Sequence, residues 1–282
     1  MHPKTVSVAV FALLACLSFF AQAHGGPAEE PSPEWIEAWT PFASAPYDLD
    51  EEAERKIGPW LDLRTGGVAT GPMQSTADGA QGALVDGTLL PAKGLGFRRV
   101  SGAEEAWGTG HMISLIENAA AFLTTQIWPG MTVAVGDIAM QFGGKYGPHK
   151  SHQNGLDADI LFIGNQSWKS VLDDKGQVTE RFNPEMNWAF WRSMFDQKIV
   201  ENGKTISVIS MILVAPEIKN FLCTWGTKNG VFKNADDLEM MKRIRPTEGH
   251  DDHMHIRLRC SPHHPLCRRE GIASDLGCPA SP

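Results

Sequence analysis

Two short segments concentrate the side chains that could do chemistry. Residues 151–159, SHQNGLDAD, hold one histidine and two aspartates. Residues 248–255, EGHDDHMH, lie about a hundred positions later and hold three more histidines. With His149, just upstream of the first segment, they account for five of the ten histidines in the chain. Imidazole and carboxylate groups are common ligands of Zn²⁺, so the two segments together predict one metal site built from both.

The ligands are expected to lie on two neighbouring strands and the loop before one of them. A strand over residues 157–163 would point both of its aspartates to one face, because side chains alternate along a strand. A strand over residues 253–259 would place its two histidines on one face in the same way. If the two strands are neighbours, these groups share one concavity. The predicted metal ligands are His152, Asp159 and His255.

Such a ligand set predicts hydrolytic chemistry. Zinc held by three protein ligands keeps a position for water, lowers the pKa of that water and polarises a carbonyl group. A nearby base can take the proton of the water and pass it to the leaving amine. His253 is the leading candidate for this base, and His250 and His149 are expected to stabilise the oxyanion or to orient the base. Asp252 is an alternative base.

The start of the chain has the pattern of a secretory signal peptide over residues 1–23. Lys4 is followed by an apolar run over residues 6–20 and by a small-residue cleavage site over residues 21–23. The 282-residue chain has a net charge of −8, and removal of Lys4 makes it −9. An acidic chain without a basic run argues against nucleic-acid binding. We expect an exported protein with no transmembrane segment after signal removal.

Four cysteines follow the predicted signal peptide. An even number in an exported chain predicts two disulfides, for which three pairings are possible. Cys260 and Cys267 bracket a short loop and could close a local bridge, which would leave Cys223 to pair with Cys278. A zinc site formed by the tail cysteines and the two histidines of that loop is the alternative. It lacks the CxxC spacing that structural zinc sites use.

The remaining sequence predicts an α+β fold. Residues 24–92 are rich in Pro, Gly and Ala and predict an irregular N-terminal lobe, whereas residues 93–282 predict the catalytic domain. Apolar periodicity predicts helices over residues 102–128, 184–197, 216–223 and 236–243, and strands over residues 95–100, 131–140, 157–163, 205–214 and 253–259. The expected architecture is a mainly antiparallel sheet with helices packed on one face, and with the zinc site between strand ends and loops.

The two segments resemble the penicillin-insensitive murein endopeptidases. That family is part of a wider zinc peptidase group that includes lysostaphin-type enzymes and D-Ala-D-Ala peptidases. The group has a histidine, an aspartate seven residues later and a terminal His-x-His. The endopeptidases add one histidine three residues before the first ligand and another three residues before the His-x-His. The matching positions here are His149, His152, Asp159, His250, His253 and His255.

The resemblance covers residues 93–280 and implies a Zn²⁺ endopeptidase of bacterial peptidoglycan. In the family, the bond cut is the D-alanyl–meso-diaminopimelate cross-link, in the periplasm. A metal-activated water does not depend on a serine nucleophile, so the resemblance also implies insensitivity to β-lactams, which acylate serine. It implies the disulfide pairings Cys260–Cys267 and Cys223–Cys278. A further family disulfide, from an N-terminal cysteine to the far C-terminus, has no counterpart in this sequence.

Two other functions are alternatives to the endopeptidase. A D,D-carboxypeptidase or dipeptidase of the same metal group would use an acidic base three residues before the last ligand, where Asp252 stands. His250 and His253 are the additional residues of the endopeptidase pattern. A non-catalytic wall-binding protein with a vestigial metal site is the second alternative. The presence of a ligand at every expected position argues against such decay.

Overall fold

The structure is a computed structural model that describes residues 66–77, 79–165, 167–201, 203–262, 264–268 and 277–278. The predicted signal peptide, residues 1–23, lies outside the described residues. So do residues 24–65 of the predicted N-terminal lobe.

A seven-stranded mixed sheet organises the described part of the chain. The strands in the described residues are β1 Val68–Thr70, β2 Ala83–Val85, β3 Thr88–Leu89, β4 Lys93–Gly94, β5 Phe97–Arg99, β6 Trp107–Gly108, β7 Val133–Val135, β8 Asp157–Leu161, β9 Lys198–Glu201, β10 Lys204–Ser207, β11 Ile209–Val214, β12 Ile244–Pro246 and β13 His253–Leu258.

The large sheet has the strand order β12–β11–β13–β8–β7–β5–β4. Its β12–β11 and β7–β5 pairs are parallel and its other four pairs are antiparallel. The pairs β1–β2, β3–β6 and β9–β10 form small two-stranded sheets.

Three of the four helices in the described residues begin where the side chain of a capping residue accepts from a first-turn backbone N–H group. The four helices are α1 Gly110–Phe122, α2 Pro184–Phe195, α3 Pro216–Lys228 and α4 Ala235–Arg243, and a π-helical turn, Leu123–Ile127, continues α1. The Thr109 and Asn183 side chains accept from backbone N–H groups in the first turns of α1 and α2. Asn234 forms a capping box with Asp237 at the start of α4. These are the contacts that stabilise helix N-termini.

The two faces of the central strands have different chemistry. Met254, Ile256 and Leu258 alternate along β13 and are buried in the hydrophobic core. The indole N–H of Trp191 on α2 donates to the sulfur of Met254, so α2 covers this apolar face. The opposite face carries the imidazoles and carboxylates of β8 and β13. The observed architecture is the α+β fold predicted from the sequence.

Four predicted elements differ from the observed ones by more than two residues or in number. The helix predicted over residues 216–223 continues to Lys228. The helix predicted over residues 102–128 begins at Gly110, because Trp107–Gly108 pairs with β3 as a strand. The run over residues 205–214 divides into β10 and β11, which belong to different sheets. The strand predicted over residues 131–140 ends at Val135, after which the Ile138 N–H donates to the Glu105 carbonyl. The residues released from β7 contribute to the site described below.

The structure contains two disulfides, Cys223–Cys278 and Cys260–Cys267. These are the pairings that the resemblance implies. The boundary predicted between residues 92 and 93 stays a prediction, although β3 on its N-terminal side pairs with β6 on the other. Among the described residues, no helix has both the length and the apolar character needed to cross a bilayer.

Candidate active site

The antiparallel pairing of β8 and β13 brings the two sequence segments together. Its register places His255 directly opposite Asp159 and Arg257 directly opposite Asp157. Because alternate residues of a strand share a face, these four side chains lie on one side of the sheet. The sequence expectation of two neighbouring strands with a shared polar concavity therefore matches the observed pairing.

Three potential ligand atoms form a small triangle in this concavity. Asp159 Oδ1 lies 3.2 Å from His152 Nε2 and 3.1 Å from His255 Nδ1, and the two nitrogens are 3.1 Å apart. All three residues are at most 2% exposed. Ligands at about 2.0–2.1 Å around a tetrahedral zinc ion are separated by roughly 3.3–3.4 Å, from simple geometry. The spacing and chemistry of these atoms fit a divalent ion.

Hydrogen bonds on the far side of each imidazole direct its lone pair into the triangle. His152 Nδ1 lies 2.9 Å from the Ile138 carbonyl oxygen, and His255 Nε2 lies 2.8 Å from Asp157 Oδ1. A carbonyl or carboxylate oxygen can only accept, so each of these nitrogens carries the proton. His152 Nε2 and His255 Nδ1 are then acceptors, which is the arrangement of metal-binding histidines.

The burial of Asp159 supports the same assignment. Asp159 Oδ1 has no hydrogen-bond partner within the described part of the chain, although both imidazoles are near it. A buried charge without a partner is costly, and a cation in the triangle would compensate it. Burial acts to raise the pKa of Asp159, but the neighbouring histidines, His152 first, hold that pKa well below its usual range.

Asp157 is fully buried and contacts both histidines of the triangle. Its Oδ1 accepts from His255 Nε2 and, at 2.6 Å, from Arg257 Nε. Its Oδ2 accepts from the backbone N–H of His152 at 3.2 Å. Burial opposes ionisation, but the Arg257 guanidinium and His255 hold the pKa of Asp157 below its usual range. One carboxylate therefore orients the His255 ring and also holds the backbone that carries His152.

The backbone at His152 has an unusual conformation for a residue with a side chain. Its φ is +62°, in the left-handed region that costs a residue with a Cβ about 1–2 kcal/mol. This conformation accompanies the N–H contact to Asp157 and the placement of the ring against His255. Backbone strain of this kind is typical of functional sites held in place by their surroundings.

His253 lies at the rim of the triangle with its second nitrogen held by Asp252. Its Nδ1 is 2.5 Å from Asp252 Oδ1, and its Nε2 is 3.6 Å from Asp159 Oδ1. Burial acts to lower the pKa of His253, whereas the Asp252 hydrogen bond and the Asp159 charge raise it above its usual value. The arrangement leaves Nε2 directed toward the triangle.

The other two predicted catalytic histidines also lie at the site. The His250 ring is 5.1 Å from the His253 ring and 5.9 Å from the His255 ring. Burial lowers the pKa of His250. The His149 ring is 4.6 Å from that of His152, and His149 Nε2 lies 3.0 Å from Asp137 Oδ2. All six residues predicted to ligate or catalyse are thus brought to one place.

A second, overlapping ligand set is possible. His149, His152 and Asp159 each offer a ligand atom, and these atoms lie within 4.8 Å of one another. The set with His255 is tighter and more deeply buried. His149 also has its Nε2 engaged by Asp137 and a side chain that is 23% exposed. We therefore assign His149 to the surroundings of the metal position.

Three further residues shape the site but have no role predicted from the sequence. Asp137 occupies the next alternate position after Val133 and Val135, and this alternation could have identified it from the sequence. Arg257 continues the alternation of the two β13 histidines in the same way. Trp168 has no such signal: its ring is 47% exposed and lies edge-on to His253 at 5.5 Å.

Comparison with known proteins places the chain in one family. The model of the family described as penicillin-insensitive murein endopeptidase matches residues 76–281. The protein of that name from Haemophilus influenzae is 30% identical over 204 residues, which cover 70% of this chain and 68% of that protein. Its namesake from Yersinia pestis is 31% identical over 208 residues, or 72% and 71% of the two chains.

A third protein of the same name, from Pectobacterium atrosepticum, is 28% identical over 211 residues, covering 72% of this chain and 69% of that protein. The family match extends over both histidine segments and the strands that carry them. The chain belongs to the penicillin-insensitive murein endopeptidase family.

Proposed function

We propose that the protein is a zinc-dependent endopeptidase that hydrolyses D-alanyl–meso-diaminopimelate cross-links of bacterial peptidoglycan. Family membership supports the substrate class, since the relatives are named murein endopeptidases. The observation that carries the proposal is the buried triangle of His152 Nε2, Asp159 Oδ1 and His255 Nδ1. Both of its imidazoles are held as acceptors by bonds on their far sides.

The metal chemistry would be supplied at that triangle. When bound, zinc supplies Lewis acidity that lowers the pKa of a water molecule and polarises the scissile carbonyl. His152, Asp159 and His255 would hold the ion. Asp157 would keep the His255 ring in the required tautomer and orientation, and the Ile138 carbonyl would do the same for the His152 ring.

Proton transfer would belong to His253. Asp252 accepts from His253 Nδ1 and thereby leaves Nε2 as the acceptor that faces the triangle. His253 would take the proton of the attacking water at Nε2 and then donate it to the leaving amine. His250 and His149, which flank the site, would stabilise the developing oxyanion or orient the base.

The place of action follows from the proposed substrate. Cross-linked peptidoglycan lies outside the cytoplasmic membrane, and we propose that residues 1–23 export the protein to the periplasm. The expected partner is the cross-linked muropeptide itself, with no nucleic-acid partner.

A D,D-carboxypeptidase is the second candidate, and the placement of Asp252 bears on it. In that reaction Asp252 would be the base. Its Oδ1 is instead bonded to His253 Nδ1 at 2.5 Å, which favours an orienting role. The endopeptidase is therefore the better-supported function.

A muropeptide digest tests the proposal directly. The purified protein is incubated with cross-linked muropeptide dimers, with and without a zinc chelator, and the products are separated by chromatography. Conversion of dimers to monomers, abolished by the chelator and restored by zinc, is the expected result. Release of terminal D-alanine alone would indicate the carboxypeptidase, and no product from zinc-loaded protein would refute both enzymatic functions. His255→Ala should lose zinc and activity together.

A further inference from the structure

We infer that Asp137, supported by Ser101, is a positioning residue that fixes the His149 imidazole beside the metal position. Its kinetic consequence rests on the proposed function. The geometric claim, that Asp137 sets the tautomer and orientation of His149, does not. Neither Asp137 nor Ser101 belongs to the two histidine segments that identify the family in the sequence.

The contacts form a short chain of hydrogen bonds. The Ser101 hydroxyl donates to Asp137 Oδ1, and Asp137 Oδ2 lies 3.0 Å from His149 Nε2. A carboxylate only accepts, so Nε2 carries the proton, and Nδ1 is left unprotonated as the hydrogen-bond acceptor of the ring. Burial opposes ionisation of Asp137, but His149 and Ser101 hold the pKa of Asp137 below its usual value.

Asp137 is well placed to impose this orientation because its backbone is tied to that of a metal ligand. The Asp137 carbonyl accepts from the Asp159 N–H at 2.8 Å. One residue earlier, the Gly136 N–H donates to the Asp159 carbonyl at 2.7 Å. The backbone that carries the Asp137 carboxylate therefore has a fixed position relative to that of Asp159, and the Ser101 hydroxyl holds the carboxylate itself.

His149, by contrast, lies on a loop outside the strands. Gly143, Gly144 and Gly147 all have positive φ in this loop. Besides Asp137, the described contacts of the His149 ring are with the rings of Tyr146, at 4.9 Å, and His152, at 4.6 Å. Ring contacts permit rotation about the ring axis, whereas a hydrogen bond to Nε2 selects one orientation. Asp137, whose backbone is hydrogen-bonded to that of Asp159 in β8, thus fixes the orientation of a histidine on a loop.

Asp137→Asn is the discriminating change because the amide has the shape of the carboxylate. An asparagine can present its NH₂ group to Nε2, which would favour the opposite tautomer of His149. We expect turnover to fall roughly 10- to 100-fold, the range found when a residue that orients an active-site group is replaced. Bound zinc should stay at the wild-type level. Asp174→Asn, an exposed carboxylate in a turn, is the matched control and should change neither quantity.

A double-mutant cycle separates positioning from general structural support. If Asp137 acts through His149, Asp137→Asn should have less than about a 2-fold effect on turnover in the His149→Ala background. Equal losses in the two backgrounds, or loss of zinc from the single variant, would overturn the inference. Ser101→Ala should give a smaller loss of the same kind.

A second measurement does not depend on activity. In ¹⁵N NMR spectra of the zinc-loaded protein, the signals missing in His149→Ala identify the His149 ring nitrogens. Wild type should show a protonated Nε2, and Asp137→Asn should shift the population toward a protonated Nδ1. Unchanged His149 signals would overturn the inference even if the protein proved to have another activity. A wild-type protein inactive on muropeptides, but with the expected tautomer change, would refute only the proposed function.

Discussion

Replacement of Asp157 should separate the stability of the fold from the affinity for zinc. The side chain is fully buried and contacts both the proposed zinc ligand His255 and Arg257, which is 4% exposed. Asp157→Leu removes the carboxylate that neutralises the guanidinium and that accepts from His255 Nε2. Breaking a buried ion pair from one side costs about 3–5 kcal/mol in the free energy of unfolding. For a chain of this size that corresponds to a decrease in Tm of roughly 6–20 °C.

The second variant, Asp157→Leu/Arg257→Met, removes both charges. Replacing a buried pair by apolar side chains is often neutral for stability, so most of the lost free energy should return. Zinc affinity should stay about 10- to 100-fold below wild type in both variants, because His255 still lacks the acceptor that orients it. Asp157→Asn, whose amide oxygen can still accept from His255, should lose less affinity.

Two assays distinguish these effects. Denaturant unfolding is measured in the presence of a chelator, so that bound metal does not contribute to the free energy of unfolding. Zinc affinity is measured by competition with a chromophoric chelator. If the double variant recovers zinc affinity together with stability, or if Asp157→Leu binds zinc as tightly as wild type, Asp157 does not orient the ligands as argued.

Three other perturbations test separate parts of the structure. His253→Ala should keep zinc and lose about 10²- to 10⁴-fold in turnover, because the base is removed and the ligands are not; an unchanged rate in steady-state assays would assign the base to another residue. The Cys223→Ser/Cys278→Ser variant should lose about 4 kcal/mol of unfolding free energy, because the disulfide closes a loop of 55 residues and thereby restricts the unfolded chain. Equal denaturation midpoints for the variant and wild type would refute this prediction. Burial lowers the pKa of Lys219 from 10.5 to about 8. Between about pH 8 and 10.5 the folded state therefore binds fewer protons than the unfolded state, and the free energy of unfolding should rise by up to roughly 3 kcal/mol as pH increases through this range. Lys219→Met should flatten this rise in denaturant titrations at several pH values. The same pH profile in wild type and Lys219→Met would contradict the prediction.

The elements of the fold that could be predicted from the sequence are those with strong local signals. α2 begins at the predicted Pro184, and β13 begins at the predicted His253, because a proline after a capping residue and a strict apolar alternation are local properties. The division of the run over residues 205–214 was not predictable in the same way. Both halves favour strands, and only the tertiary partners of β10 and β11 assign them to different sheets.

The start of α1 was mispredicted for a related reason. Residues 102–109 can extend a helical pattern in isolation, yet Trp107–Gly108 pairs with β3 and Thr109 then caps the helix. A long-range strand pairing and a local cap together outweigh a weak helical periodicity.

By itself, the sequence determined which chemical groups are available and how they are spaced, because two carboxylates two residues apart and a His-x-His must share faces of any strands they form. Tertiary structure decided which atoms meet. The antiparallel register sets His255 opposite Asp159, and the turn at His152 brings a second imidazole nitrogen, Nε2, to 3.2 Å from Asp159 Oδ1. Tertiary structure also places Asp157 as the hydrogen-bond acceptor for His255 Nε2 and Asp137 as the acceptor for His149 Nε2. Those choices depend on distances between segments far apart in the chain, which no local pattern encodes.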